Sequence, residues 1–328
     1  MKVFLVAGAR PNFMKISPLW REMKKYPKIN PLIIHTGQHY DYEMSKVFFD
    51  DLELPSPHYY LGAGSGTHAE QTAKIMLEFE KVCLKEKPDL VIVVGDVNST
   101  LACSVVAKKL WIKVAHVEAG LRSFDMRMPE EINRIVTDSI SDFLFVTEES
   151  GIKNLIKEGK SKENIYFVGN VMIDNLYYQL EKLNDGRIDV RRFSSYKLKE
   201  NLKKYLFLTL HRPSNVDDEG NLKRIFSALN IISKRIPIIF PIHPRTRKMI
   251  ERYRVEVSDR IYILEPLGFI ESLYLWKDAL GVLTDSGGLQ EETTALGKPC
   301  LTLRENTERP ITVEIGTNVL VGVDPDRI

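Results

Sequence analysis

Residues that staple or metallate small folds are scarce in this chain. Only three cysteines occur among 328 residues, Cys83, Cys103 and Cys300. No two of them form a close pair, which argues against a zinc ribbon or a disulfide-framed secreted scaffold and predicts reduced thiols in a cytoplasmic protein. Long hydrophobic runs are missing too. The N-terminal apolar run, residues 3–7, is too short for a signal-peptide core, and nothing approaches the ~20 apolar residues of a membrane span. Charge of one sign is not in excess: 46 basic and 44 acidic residues leave a formal charge of +2, so neither a nucleic-acid nor a membrane surface is expected. Internal repeats and low-complexity tracts are absent. What remains is an ordinary globular composition, 44% hydrophobic and 27% charged, long enough for about two domains of ~100–200 residues each.

Short apolar runs alternate with amphipathic stretches along most of the chain. Strands are expected at 2–7, 30–36, 89–94, 113–118 and 143–147, with helices between them, for example 68–85 and 99–110. The strand runs are apolar throughout rather than alternating, as in parallel strands buried on both faces. After Tyr166-Phe167-Val168-Gly169 the pattern lapses, and residues 181–204 read as a hinge followed by a surface helix. It then restarts, with strands expected at 205–209, 236–241, 261–264, 280–284 and 300–303. The expected fold is α/β, two Rossmann-like doubly wound domains, 1–172 and 173–328, facing across a cleft.

Residues 281–297, Gly-Val-Leu-Thr-Asp-Ser-Gly-Gly-Leu-Gln-Glu-Glu-Thr-Thr-Ala-Leu-Gly, organise the second half. A strand end runs into Ser286-Gly287-Gly288, a turn nearly without side chains, and then into a short helix. Such a turn lets an anion reach the unpaired N–H groups and positive dipole end of the helix. Glu291 and Glu292 follow within the first helical turns, where a carboxylate would repel phosphate but could accept both hydroxyls of a ribose. The segment reads as a nucleoside diphosphate seat; a helix capped by Ser286 is the equally weighted structural alternative.

Other chemistry-bearing residues fall after expected strands, where open α/β sheets bind ligands. Arg10 and Lys15 follow the first strand and could meet an anion. Asp96 and Glu118 end two later strands, and Glu130 opens a helix that also carries Arg134. Each acid alone could be a helix cap. Three together near an anion suggest removing a proton from a weakly acidic C–H and returning one from another direction. In the second half His211-Arg212 and His243-Pro244-Arg245 each follow a strand, a pairing suited to phosphate oxygens. Phe269 could offer a face to a base, and Arg309 a second phosphate or sugar contact. Gly62-Ala63-Gly64-Ser65-Gly66 follows no convincing strand and has no acid at dinucleotide spacing, so it reads as a mobile loop rather than a dehydrogenase fingerprint. No His-x-x-x-His spacing occurs, and no metal site is expected.

In order along nearly the whole chain, these blocks resemble the non-hydrolysing UDP-N-acetylglucosamine 2-epimerases. The resemblance rests on Gly8-Ala9-Arg10-Pro11-Asn12-Phe13-Met14-Lys15, Gly37-Gln38-His39, Gly95-Asp96-Val97-Asn98-Ser99-Thr100, His116-Val117-Glu118-Ala119-Gly120-Leu121-Arg122, Pro129-Glu130-Glu131-Ile132-Asn133-Arg134, Thr209-Leu210-His211-Arg212, Asp285-Ser286-Gly287-Gly288-Leu289-Gln290-Glu291-Glu292 and Thr307-Glu308-Arg309-Pro310. It implies a GT-B-like fold, a homodimer without a cofactor, and interconversion of UDP-GlcNAc and UDP-ManNAc through elimination of UDP and its re-addition to 2-acetamidoglucal. By motif position, it implies that Asp96, Glu118, Glu130 and His211 are catalytic. Arg10, His243, Ser286, Gly287, Gly288, Glu292 and Arg309 would contact UDP, with Lys15 and Arg134 near the site. A glycosyltransferase of the same fold, a hydrolysing epimerase and a non-enzymatic UDP-sugar sensor are the competing readings. The family pattern departs at two points. Many bacterial members place glutamines after Gly-Gln-His to bind an activating second UDP-GlcNAc; residues 40–46 here, Tyr-Asp-Tyr-Glu-Met-Ser-Lys, contain none, so weak or absent activation by substrate is expected. Family members also usually extend past the position of Ile328 into a helix that crosses back to the first domain, a second departure of this sequence from the family pattern.

Overall fold

The computed structural model describes residues 1–37, 49, 51–307 and 309–328, with the backbone alone for Arg10. The stretch bearing on activator binding, 40–46, lies outside the described residues, as do Gln38, His39 and Glu308. The chain divides into two compact units, Met1–Asn175 and Leu176–Ile328; the division falls within the helix Val171–Asn184.

The first unit is built on β1 (Lys2–Ala7), β2 (Asn30–His35), β3 (Tyr59–Tyr60), β4 (Leu90–Val94), β5 (Lys113–Val117), β6 (Phe143–Val146) and β7 (Ile165–Phe167). These form one sheet in the order β3-β2-β1-β4-β5-β6-β7, and every strand pairing is parallel. The uninterrupted apolar runs have a direct explanation. Phe4 and Val6 pack on one face of the sheet with Phe79, Val91 and Val93. Val3, Leu5 and Ala7 pack on the other with Phe13, Ile16, Ile92 and Val94. Both faces of the central strands are dry, so neither set of alternating positions can be polar. The helices that matter to the site are α1 (Arg10–Met23), α2 (His68–Glu86), α3 (Asn98–Lys109) and α4 (Pro129–Ile140).

The second unit repeats the plan with β8 (Leu206–Thr209), β9 (Ile238–Pro241), β10 (Ile261–Leu264), β11 (Gly281–Thr284), β12 (Cys300–Thr302) and β13 (Asn318–Leu320). Its order is β10-β9-β8-β11-β12-β13, again with parallel pairing throughout. Two Rossmann-like α/β units of this kind make up the GT-B-like fold. In each sheet the strand order reverses beside the first strand, between β1 and β4 and between β8 and β11, which are the switch points where ligands settle.

The ten expected strands all form, most of them one or two residues shorter than expected. Three others, β3, β7 and β13, escape the pattern because they are short outer strands: Tyr60 and Phe167 are exposed, as is Val319. The glycine-rich segment 62–66 is a loop, as expected, and its backbone is tied to neighbouring segments. The N–H groups of Ala63 and Gly64 donate to Thr36 and Gly37 carbonyls, both at 2.9 Å, and Gln71 Nε2 donates to the Gly64 carbonyl at 2.9 Å. No helix among the described residues is long and apolar enough to cross a membrane.

Candidate active site

At the switch point of the first sheet, β4 runs out through Gly95 to Asp96 and its neighbour β5 runs out directly to Glu118. Glu118 is buried and adopts a left-handed backbone, φ 74°. For a residue with a side chain that conformation costs about 1–3 kcal/mol and persists only where its surroundings enforce it. Here its N–H donates to the Phe145 carbonyl at 3.1 Å, and its carboxylate meets the Lys15 ammonium at 2.5 Å. The side chains of Lys15 and Glu118 are 12% and 8% exposed, so this pair is far less screened than a surface bridge. Lys15 is therefore committed to Glu118. Gly95, at φ +67°, is forced by the same crowding: a Cβ there would lie 2.9 Å from Lys15 Nζ and 3.7 Å from Glu118 Oε2. Asn12 completes the corner, accepting from the Ala9 N–H at 2.9 Å and donating to the Val94 carbonyl at 3.1 Å.

Asp96 caps no helix. The residue at the cap position of α3 is Val97, and the Asp96 carboxylate pairs instead with Arg134 of α4. Arg134 also holds Glu131, one turn earlier, at 2.6 Å. Glu131 is buried and accepts the N–H groups of Ser123 and Phe124 at 2.9 and 3.0 Å. Burial would raise its carboxyl, but those two donors and Arg134 outweigh it and hold it below the ordinary range. Asn133 donates to the Asp96 carbonyl at 2.8 Å. Glu130, also in the first turn of α4, is half-buried, and its side chain makes no hydrogen bond or ion pair among the described residues. Of the two adjacent glutamates, the sequence singles out the one without a partner. Glu131, which carries the polar scaffold, shares its motif but offers no separate signal.

In the second unit the loop after β8 meets the loop after β11. Asp285, fully buried, accepts the N–H of His211 at 2.9 Å and of Arg212 at 2.8 Å, and lies 3.0 Å from His211 Nδ1. Burial alone would raise the Asp285 carboxyl; the His211 ring and these backbone donors hold it down. The carboxylate thus fixes the His211 ring, which is 39% exposed. The His243 ring stands 5.9 Å from it, and His243 accepts the Arg245 N–H at the start of α5 (Pro244–Tyr253). Phe269 is half-buried at the start of its own helix, Phe269–Trp276.

Ser286 sits at the cap position of α6 (Gly287–Ala295), yet its hydroxyl makes no capping bond. Its N–H donates to Thr284 Oγ1 at 2.9 Å. The plain capping alternative therefore fails. A Cβ at Gly288 would meet nothing within 4 Å, so the turn opens onto empty space. Glu292 is buried, without a hydrogen-bonding or ionic partner among the described residues. Burial, with help from neighbouring Glu291, pushes its carboxyl up to about 8. Glu291 itself pairs with Arg309 at 3.1 Å. Gln290 is buried and anchors the segment bearing Arg309: its Oε1 accepts from Thr307 Oγ1 at 2.6 Å and from Asn318 Nδ2 at 3.3 Å. The anchoring residues Asp285, Gln290 and Glu131 are legible only once the loops they tie are known.

A family model described as UDP-N-acetylglucosamine 2-epimerase matches residues 21–328. The chain belongs to that family. The UDP-N-acetylglucosamine 2-epimerase of Methanocaldococcus jannaschii is 48% identical over all of this chain and 90% of its own length. A crystal structure of the M. jannaschii enzyme in complex with UDP-GlcNAc and UDP matches with a TM-score of 0.86 at 46% identity, covering 100% of this chain and 90% of that one. The UDP-2,3-diacetamido-2,3-dideoxy-D-glucuronate 2-epimerase of Pseudomonas aeruginosa is 43% identical, again over 100% of this chain and 90% of its own. Members of this family are thus epimerases at C2 of more than one UDP-linked 2-acetamido sugar.

Proposed function

We propose that this enzyme interconverts UDP-GlcNAc and UDP-ManNAc by inverting C2. The observation that carries the reading is the corner formed by Asp96 and Glu118 at the ends of adjacent strands, each carboxylate held by a buried or half-buried cation. Two oriented carboxylates suit removal and delivery of a proton from different directions. The open turn at Gly288 and the partnerless Glu292 support a diphosphate and a ribose diol, respectively.

The C2 proton of the sugar ring lies beside no carbonyl, so direct deprotonation is poor. Breaking the C1–O bond to UDP builds positive charge at C1 and acidifies C2–H. One carboxylate takes that proton as UDP leaves with both electrons of the C1–O bond, giving 2-acetamidoglucal. Re-addition of UDP with protonation on the opposite face gives the epimer. Stabilising the departing diphosphate therefore assists both bond changes.

UDP-GlcNAc alone, incubated with the enzyme in deuterated water and followed by proton NMR, should yield UDP-ManNAc with deuterium at C2. Release of free ManNAc would indicate a hydrolysing enzyme, and no change at all without an acceptor would sink the epimerase reading. A second substrate has specific support, since the Pseudomonas relative matches over the same span. Turnover of UDP-2,3-diacetamido-2,3-dideoxy-D-glucuronate at a higher kcat/KM than UDP-GlcNAc would replace the first choice.

A further inference from the structure

Beneath the corner that carries Asp96 and Glu118 lies a polar network that no step above uses. His116, in β5, is fully buried. Its Nδ1 lies 2.6 Å from Asp138 Oδ1 and its Nε2 lies 2.8 Å from the Gly95 carbonyl oxygen. A carbonyl can only accept, so Nε2 carries a hydrogen. The proton shared with Asp138 could sit on either partner, and the surroundings of Asp138 decide. Its second oxygen accepts the Gly120 N–H at 3.0 Å and the Arg122 guanidinium at 2.8 Å, two donors that favour the ionised carboxylate. Arg122 pairs in turn with Glu158 at 2.6 Å.

We propose that His116 is a positioning residue whose buried ring clamps the Gly95 carbonyl from one nitrogen and the Asp138 carboxylate from the other. The Gly95 carbonyl belongs to the peptide that leads into Asp96. Asp138 reaches through the Gly120 N–H to the turn two residues beyond Glu118. Gly95 and Gly120 take left-handed backbones, at φ 67° and 81°, without strain, whereas Glu118 between them, at φ 74°, is costly and needs a rigid brace. Gly120 is tied further by Asn154, whose Nδ2 donates to its carbonyl at 2.9 Å. His116 and Asp138 are both inaccessible to a substrate; they act through the two acids. The catalytic consequence rests on the epimerase reading, whereas the hydrogen-bonded clamp does not.

Two measurements test this. In the wild-type protein labelled with 15N-histidine, the His116 ring, assigned by its loss in His116→Gln, should show a slowly exchanging Nε2–H, the hydrogen held by the Gly95 carbonyl. A ring whose Nε2 carries no such protected hydrogen overturns the proposal. In His116→Phe, C2 hydrogen exchange of UDP-GlcNAc should slow by about 100-fold, the scale of a misplaced catalytic group, while UDP affinity stays within about threefold; His116→Gln, with one donor left, should fall between. Unchanged exchange in a folded His116→Phe overturns the clamp. If that variant does not fold, the nitrogen spectrum of the wild type decides. A protected Nε2–H in a wild-type protein that exchanges no C2 hydrogen would leave the brace standing and remove the epimerase reading instead.

Discussion

Arg134 binds two carboxylates at once, Asp96 through Nη1 and Glu131 through Nη2. Glu131 has three donors to satisfy it, whereas Glu130 beside it has no partner among the described residues. Glu131→Gln should therefore lower stability by about 2–3 kcal/mol, the cost of a weakened acceptor for buried donors. Glu130→Gln should leave stability within about 0.5 kcal/mol while cutting turnover if Glu130 handles a proton. Denaturant titration together with an epimerisation assay separates the two. Equal stability of both variants would refute the structural role of Glu131.

Lys15 and Glu118 are coupled across a nearly dry contact. Lys15→Met should destabilise the protein by about 3 kcal/mol, because it strands a buried carboxylate. Adding Glu118→Gln to Lys15→Met should recover at least about 1 kcal/mol of that loss. A double-mutant cycle measured by urea unfolding checks it, and strictly additive single effects would show that the ion pair contributes nothing.

Gly288 is helical, and a Cβ there would meet only open space. Gly288→Ala should leave stability unchanged or raise it by up to about 1 kcal/mol, from helix propensity. The added methyl would occupy the space proposed for diphosphate, so UDP affinity should drop at least about tenfold. Calorimetric titration with UDP and a thermal melt test both halves. Undiminished affinity would move the diphosphate seat elsewhere.

The Glu292 carboxyl is raised from 4.5 to about 8 by burial. The folded protein thus binds a proton there that the unfolded chain releases between about pH 4.5 and 8. The stability associated with this proton is fully present below pH 4.5 and is lost as pH rises through about 8. Glu292→Gln does not titrate, so its melting temperature relative to wild type should climb across that window and level off above it. A constant difference from pH 5 to 9 would contradict the assignment.

The sequence by itself determined the two α/β units, because a parallel sheet covered on both faces leaves unbroken apolar runs that composition alone can reveal. It also determined which charged residues gather at the carboxyl ends of the sheets, because those directly after such runs have nowhere else to lie. Tertiary structure alone decided the partners. Asp96 meets Arg134, Lys15 meets Glu118, and Asp285 ties the His211 loop, in each case across 38, 103 and 74 residues of chain, respectively. Hydrogen bonds and ion pairs act over a few ångströms between side chains whose separation in sequence carries no trace of their separation in space. The order of strands in the sheet sets those distances, and it set His116 against Gly95 and Asp138 in the same way.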